Sequence, residues 1–273
     1  MTMAGPLHPW RDTLSDLGVI GLVPPPATGE SRVEIPPVPI VVHAAQEGDQ
    51  EKNRMAFARP APAPDDPVAF PSPDRVAGAG SLADLEQAIH GCLACPLGGG
   101  RLRLVFGEGS GASGLMFVGE GPGRDEDLTG RPFVGRAGEL LDKMLSAIGL
   151  ERSQVYIANI VKCRPPDNRT PTPPEAQRCL PYLRRQIELL GPKVIVTLGA
   201  TPLRELLGVS GGITRIRGQW QRLDMLGGIP VMPTFHPAYV LRQYTQEVRR
   251  AVWSDLLAAR KWLDGASYIP NRP

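Results

Sequence analysis

The sequence predicts a three-layer α/β/α domain around a central, mostly parallel four-stranded sheet. Three observations carry this expectation. Four apolar runs of strand length, "LMFVG" (115–119), "VYIANIV" (155–161), "KVIVTLG" (193–199) and "IPVMPTF" (229–235), are each bounded by turn residues. Uninterrupted apolar runs suit a sheet covered on both faces. Helical periods separate them, and strands that alternate with helices favour right-handed crossovers and a parallel sheet. Finally, composition changes near residue 80, which confines the domain to about 81–265.

Before that boundary lies a proline-rich extension. Fourteen of the 30 prolines fall in residues 1–80, in "VPPPATGESRVEIPPVP" and "RPAPAPDDPVAFPSPD". Such a composition buries too little apolar surface to offset chain entropy, so residues 1–80 are expected to be disordered, as is a short tail at 266–273. Charge divides at the same place: residues 1–80 hold six Lys+Arg against ten Asp+Glu, and residues 81–273 hold 24 against 18. A basic domain with an acidic appendage suits a nucleic-acid partner, although +6 over a whole surface is also unremarkable. The start, "MTMAGPLHPWRDTLSDLGVIGL", lacks the basic, apolar and small-residue regions of a secretory signal, and no run of eighteen apolar residues occurs. A cytoplasmic chain, with no membrane association, is the expectation. Leu14, Leu17, Ile20 and Leu22 are either a short partner-binding helix or stray apolar residues of the extension.

The elements of the domain follow in order. "SLADLEQAIHGC" opens with a Ser cap and has Asp84 at the third helical position, which predicts a short helix. Leu140, Leu141, Met144, Leu145 and Ile148 form one helical stripe, and Leu180, Leu183, Ile187 and Leu190 another. The second stripe starts at "TPPE", a Thr172 cap with Pro at the first helical position and Glu175 three residues after the cap.

Open parallel sheets bind ligands beyond the carboxyl ends of their strands. Three groups reach that rim: the loop in "VGEGPGRDEDLTGRPFVGRAG" (118–138), Asn159, and "FHPAYVLR" (235–242). The first resembles a phosphate loop, but Pro122 removes a donor, Glu120, Asp125, Glu126 and Asp127 would repel an anion, and no G-K-[ST] follows. Glycine and carboxylate together suit close approach to a flat, neutral, polar group such as a nucleobase. Taken alone, the loop is better explained as a tight turn with solvated carboxylates; Phe133, Asn159 and His236 at the same rim shift the balance to the base.

Cys92, Cys95, Cys163 and Cys179 are the only cysteines. One C-x2-C pair with two further thiols suits a metal or an iron-sulfur cluster better than a disulfide framework, and the spacing leaves Zn and a [4Fe-4S] cluster both open.

Taken in order, the four-cysteine spacing, "GEGPGRDED", "TGRPFVGRAG", "IANIVKCRPPDNRTPTPPE" and "HPAYVLR" make residues 82–263 resemble the family 4, iron-sulfur uracil-DNA glycosylases. The resemblance implies a uracil-DNA glycosylase fold and a [4Fe-4S] cluster on Cys92, Cys95, Cys163 and Cys179, preferred over Zn. It implies a monomeric enzyme that flips uracil out of DNA and hydrolyses its N-glycosidic bond, leaving an abasic site for base excision repair. Phe133 then stacks on the flipped base, Asn159 reads its edge, His236 donates to uracil O2, Glu120 and Gly121 line the glycosidic bond, and Glu126 crowds out a thymine methyl. Tyr239 and Arg242, with Arg164 and Arg169, are the expected DNA contacts, and Val240 or Leu241 could also fill the space left in the duplex. The sequence departs from the family at Arg124–Asp125, where acidic residues are common, and at Ala238, where many members have Ser.

The chemistry agrees with these placements. Uracil leaves as an N1 anion with charge on O2, so a donor aimed at O2 strengthens as the bond breaks. An amide pairs with N3–H and O4 of uracil, whereas cytosine presents the opposite pattern. Three routes to the attacking water stay open: Glu120 positions it, a backbone carbonyl positions it, or the sugar cation is reactive enough to capture poorly activated water. Two rivals accompany this reading: a covalent or non-turnover uracil-DNA binding protein of the same superfamily, and a silent scaffold whose extension recruits replication or repair proteins. The first needs an inserted loop with a histidine, and residues 127–135 contain neither.

Overall fold

The computed structural model describes residues 71–265. The expectations for residues 1–70 and 266–273, including the helix at 14–22, lie outside the described residues. Folded structure begins before the expected boundary at 81. Helix α1 (Pro73–Ala77) is capped by Ser72, whose Oγ accepts from the Arg75 N–H. It buries Val76, and Ala79 behind it is also buried. Arg185 ties this start to the domain by donating to Ala79 O at 2.7 Å.

Helix α2 (Leu82–Ile89) starts at the Ser81 cap, where Oγ accepts from the Asp84 N–H at 3.1 Å. A single turn, α3 (Leu97–Gly100), precedes β1 (Leu115–Gly119). Then follow α4 (Arg124–Thr129), α5 (Arg136–Ala147), β2 (Tyr156–Asn159), α6 (Pro173–Leu190) and β3 (Val194–Leu198). After α7 (Ala200–Leu207) and α8 (Ile213–Ile216) come β4 (Gln221–Leu223), β5 (Ile229–Thr234), α9 (Pro237–Arg242) and α10 (Gln246–Leu263). The predicted start of α6 is present: Glu175 Oε2 accepts from the Thr172 N–H at 2.7 Å.

The strand order is β2-β1-β3-β5-β4, with β1, β2, β3 and β5 parallel. The sheet thus has five strands rather than four, because β4 adds an antiparallel edge on β5. Its three residues include one buried side chain, so no apolar run announces it. From β1 the chain crosses to β2 on one side and then to β3 on the other. That reversal makes the crevice between β1 and β3 the switch point at which such sheets bind ligands.

Strand periodicity sorts the core into two layers. Met116 and Val118 join Leu85, Ile89, Leu183, Ile187 and Leu206 on one face, which places α2, α6 and α7 there. Leu115 and Phe117 join Leu140, Leu141, Leu145, Val252 and Leu256 on the other, beneath α5 and α10. All five residues of β1, β3 and their neighbours in β5 are buried, which is why these strands read as continuous apolar runs.

A polar cluster is buried between β5 and α10. Asp255 of α10 is 2 % exposed, takes two N–H donors from Arg217 and accepts from Thr234 Oγ1 at 2.7 Å. Asp255→Ala leaves the buried Thr234 hydroxyl and the part-exposed Arg217 without their partner, and is expected to cost about 1–3 kcal/mol in denaturant unfolding, with the folded-state spectrum unchanged.

Candidate nucleobase site and cysteine cavity

The carboxyl ends of β1 and β2 lie side by side, with Gly119 in register with Asn159. A Cβ on Gly119 would stand 2.4 Å from Asn159 Oδ1 and 2.6 Å from Phe133 Cζ. The strand must end in glycine for the ring and the amide to meet there. Asn159 is 1 % exposed, and its Oδ1 has no hydrogen-bond partner. A buried acceptor left unpaired carries a desolvation cost that a ligand N–H would remove.

Phe133 is held from behind. Its φ is 51°, a left-handed backbone that a non-glycine residue adopts only when its surroundings impose it. Glu126 of α4 supplies much of that constraint. Its Oε1 accepts from the N–H groups of Val134 (2.9 Å) and Gly135 (3.2 Å), and its Oε2 from that of Gly123 (3.0 Å). Arg152 donates to Pro132 O and pairs with Glu108 (3.1 Å) and Asp142 (3.0 Å), while Arg131 chelates Glu108. Burial tends to raise the Glu108 pKa, but the two guanidiniums outweigh it and hold the carboxyl below its ordinary value.

His236 caps α9: its Nδ1 accepts from the Ala238 N–H at 3.1 Å. A neutral imidazole that accepts at Nδ1 carries its proton on Nε2, which makes Nε2 the donor. Its ring lies 5.6 Å from the Phe133 ring, inclined by 31°. Burial, with a smaller contribution from Arg242, lowers its pKa from 6.5 to about 4. Glu120, just past β1, crosses the switch point and accepts from Thr201 Oγ1 at 2.5 Å. Gly121 lies beside it, where a Cβ would press on Val161.

The structure thus gathers Phe133, Asn159, His236, Glu120 and Gly121 at one rim. It redirects others. Both oxygens of Glu126 are engaged with the backbone, so Glu126 shapes the loop instead of facing a thymine methyl. Arg169 is chelated by the largely buried Glu175 at 2.7 and 2.8 Å, an internal pair in place of the expected phosphate contact. Arg164 bonds Asn168 at 2.7 Å on an exposed turn. Val240 is core, while Tyr239 packs on Phe235 (4.9 Å between centroids) at the surface and Arg242 is exposed. One contact of the rim was missed: Thr201 gives no signal until the fold brings it to Glu120. Tyr244, just past "HPAYVLR", is a further exposed aromatic, with Arg249 over its ring at 4.6 Å.

The four cysteines line one cavity with Leu104, Lys162, Arg178 and Tyr182. Hydrogen bonds already aim at the sulfurs: Lys162 N–H to Cys179 Sγ (3.3 Å), Ala94 N–H to Cys92 Sγ (3.4 Å) and Arg101 Nη1 to Cys163 Sγ (3.5 Å). Burial pushes Cys163 up to about 11 and Cys179 to about 12. The donor set fits a metal group that takes four thiolates and supplies the positive charge they need. Among the described residues, no three Cys, His, Asp or Glu side chains are gathered as ligands of one ion.

The fold and this rim define a class: an open, mostly parallel-sheet protein with an aromatic face and a buried amide edge gathered beyond the carboxyl ends of its strands. The sequence model of the Uracil DNA glycosylase superfamily matches residues 106–257. A type-4 uracil-DNA glycosylase of Thermotoga maritima is 49% identical over 180 residues, which cover 66% of this chain and 93% of that protein. That of Sulfurisphaera tokodaii is 43% identical over 189 residues, 66% of this chain and 84% of the relative. A type-5 uracil-DNA glycosylase of Pyrobaculum aerophilum is 32% identical over 139 residues, 45% of this chain and 61% of the relative. The chain belongs to the uracil DNA glycosylase superfamily, and within it to the type-4 uracil-DNA glycosylases.

Two outcomes are expected at the rim. Gly119→Ala forces Phe133 and Asn159 apart, and excision should fall by about a hundredfold with little change in the unfolding midpoint. The depressed pKa of His236 sets the pH dependence. The folded protein keeps the neutral donor down to about pH 4, whereas the unfolded chain takes up the proton near 6.5. Acidification through that window therefore costs stability but not the protonation state of the donor. A single-turnover rate profile should show its acidic limb near pH 4; a limb near 6.5 would contradict the assignment.

Proposed function

We propose that this chain excises uracil from DNA by hydrolysis of the N-glycosidic bond, leaving an abasic site for base excision repair, and that the rim around Gly119 is its active site. Family membership supports the activity, and the unpaired Oδ1 of buried Asn159 beside the Phe133 ring best supports the site. The flipped base stacks on Phe133. Asn159 Oδ1 accepts from uracil N3–H, and its amide N–H₂ donates to O4.

When the C1′–N1 bond breaks, its electron pair goes to uracil N1 and is shared with O2. The His236 Nε2–H donates to that oxygen and strengthens as charge develops. The deoxyribose cation takes water at C1′. Glu120, steadied by Thr201, accepts the water's proton, and Gly121 keeps the backbone close to the sugar. Because the imidazole is neutral throughout, it acts as a hydrogen-bond donor and need not transfer its proton.

Cys92, Cys95, Cys163 and Cys179 hold a [4Fe-4S] cluster in this reading. Their placement around one shared cavity supports this reading, and the preference over Zn follows the resemblance to the iron-sulfur glycosylases. When bound, it supplies the charge that keeps four buried thiolates ionised and joins the α2–α3 segment to α6. Tyr239, Arg242, Arg164 and Tyr244 form the DNA-facing set, with the aromatics filling the space left by the base. The chain acts as a monomer in the cytoplasm, where reduced thiols persist. In the same reading the proline-rich sequence of residues 1–80 recruits a replication or repair protein. Among the described residues no helix is long and apolar enough to cross a membrane.

Incubation with a labelled oligonucleotide carrying one uracil, followed by alkaline cleavage, should give scission at uracil and none with a thymine control. A band that stays covalently attached to the protein would instead favour the binding-protein reading. His236→Ala should lower the rate by about 10²–10³. Cys179→Ser should lose iron and visible absorbance, and its unfolding midpoint should fall.

A further inference from the structure

Beneath the rim, and outside the chemistry above, lies a fully buried lysine. Lys162 is 1 % exposed. Its Nζ donates to Asn159 O at 3.0 Å and to Gln186 Oε1 at 2.6 Å. Gln186, itself wholly buried, donates onward through Nε2 to Tyr156 Oη (2.9 Å) and Phe106 O (3.0 Å).

The location of the first bond gives it consequence. β2 is the edge strand, so alternate backbone groups point away from β1. At Ile157 those groups are taken by Glu108, whose N–H and C=O pair with it at 2.9 and 2.8 Å. Two residues on, the outward carbonyl belongs to Asn159, where Lys162 Nζ takes the place of a neighbouring strand. The Ile160 N–H bonds Gly119 O at 2.9 Å on the inner side. The peptide plane after Asn159 is thus gripped from both sides, and that plane fixes the direction of the Asn159 side chain.

The second bond reaches the cysteine cavity. Cys179 and Gln186 are seven residues apart on α6, two turns, and so share one face. Cys179 Sγ accepts from the Lys162 backbone N–H, and Gln186 Oε1 from its ammonium. One helix face therefore holds Lys162 at both ends, with a proposed cluster ligand at one and the side-chain acceptor at the other.

We propose that Lys162 and Gln186 are positioning residues that tie the cysteine cavity to Asn159, so that seating of α6 at Cys179 sets the orientation of the amide that reads the base. The link rests on the assignment of Asn159 as the uracil reader. It acts through backbone geometry, with the buried ammonium as the joint, and it requires no change in the state of the metal group.

The test uses the full-length, metal-loaded protein, with iron content, the thermal unfolding midpoint, inhibition by free uracil, and kcat and KM on uracil-containing DNA as readouts. Gln186→Met removes the acceptor for Lys162 as well as the Nε2 donors. Gln186→Glu removes the same donors but keeps an acceptor for the ammonium. Gln186→Met is expected to retain its iron, to bind free uracil about tenfold more weakly or worse, and to lose kcat in proportion, with KM for DNA changed by less than about threefold. Gln186→Glu should restore most of the uracil affinity. Lys162→Met should resemble Gln186→Met; if it fails to fold, the two Gln186 variants decide alone.

Equal damage in Gln186→Met and Gln186→Glu would overturn the proposal, because the loss would then follow the Tyr156 and Phe106 contacts. So would wild-type uracil affinity in Gln186→Met, or an activity loss that merely follows iron loss. Asn159→Ala separates the two levels. If it loses uracil affinity while Gln186→Met does not, only the link fails; if it keeps uracil affinity, the reading of Asn159 fails and takes the link with it.

Discussion

Three backbone N–H groups converge on one carboxylate, that of Glu126, and the geometry of the rim around Phe133 depends on them. The Gly123 N–H fixes the start of α4, and the Val134 and Gly135 N–H groups draw in the far side of the loop. Phe133 lies between those anchors with a backbone it would not choose, at φ 51°. Its carbonyl packs so closely on α5 that a Cβ on Gly138 would stand 1.8 Å away. Arg152 grips the preceding carbonyl from a salt-bridged network. Strain of this kind persists only where several contacts over-determine it. The result is a preorganised ring, so that in the proposed reading less of the binding energy goes into ordering the loop.

The opposite wall is preorganised by other means. Gly119 offers no Cβ, Asn159 is the last residue of an edge strand, and the imidazole of His236 is fixed in one tautomer by the first N–H of its own helix. Gly119 and His236 are set by backbone, and Asn159 by a strand end that the buried Lys162 holds from outside. That suits a reaction in which little proton transfer is required and the main task is to meet charge as it develops on the leaving base. The low pKa of His236 belongs to the same design, since burial that excludes water also keeps the imidazole neutral.

The cysteine cavity lies behind this wall. It joins residues distant in sequence: Cys92 and Cys95 near the start of the domain, Cys163 after β2, and Cys179 on α6. A small helix such as α2–α3 has little apolar surface of its own, and a shared four-thiolate group is a strong way to fix it. Lys162 belongs to both regions, with its amide on a cysteine sulfur and its ammonium on Asn159 O.

Much of this protein was legible in the sequence, because it depends on local pattern. Parallel strands buried on both faces are apolar at most positions, so four of the five strands were evident, and the caps at Ser81 and Thr172 fixed the starts of two helices. The residues of the rim could be named because each lies at a strand end or in a glycine-rich loop, where ligand-binding groups of such sheets belong. What the sequence could not supply was pairing between distant groups. Only the tertiary structure decided that Glu126 holds the loop and that Arg169 is taken by Glu175. The same holds for the contact of Thr201 with Glu120 and the buried joint made by Lys162. A hydrogen-bonding side chain looks the same in sequence whether it faces solvent, a ligand or a backbone amide, and only its surroundings in the folded chain determine which partner it meets.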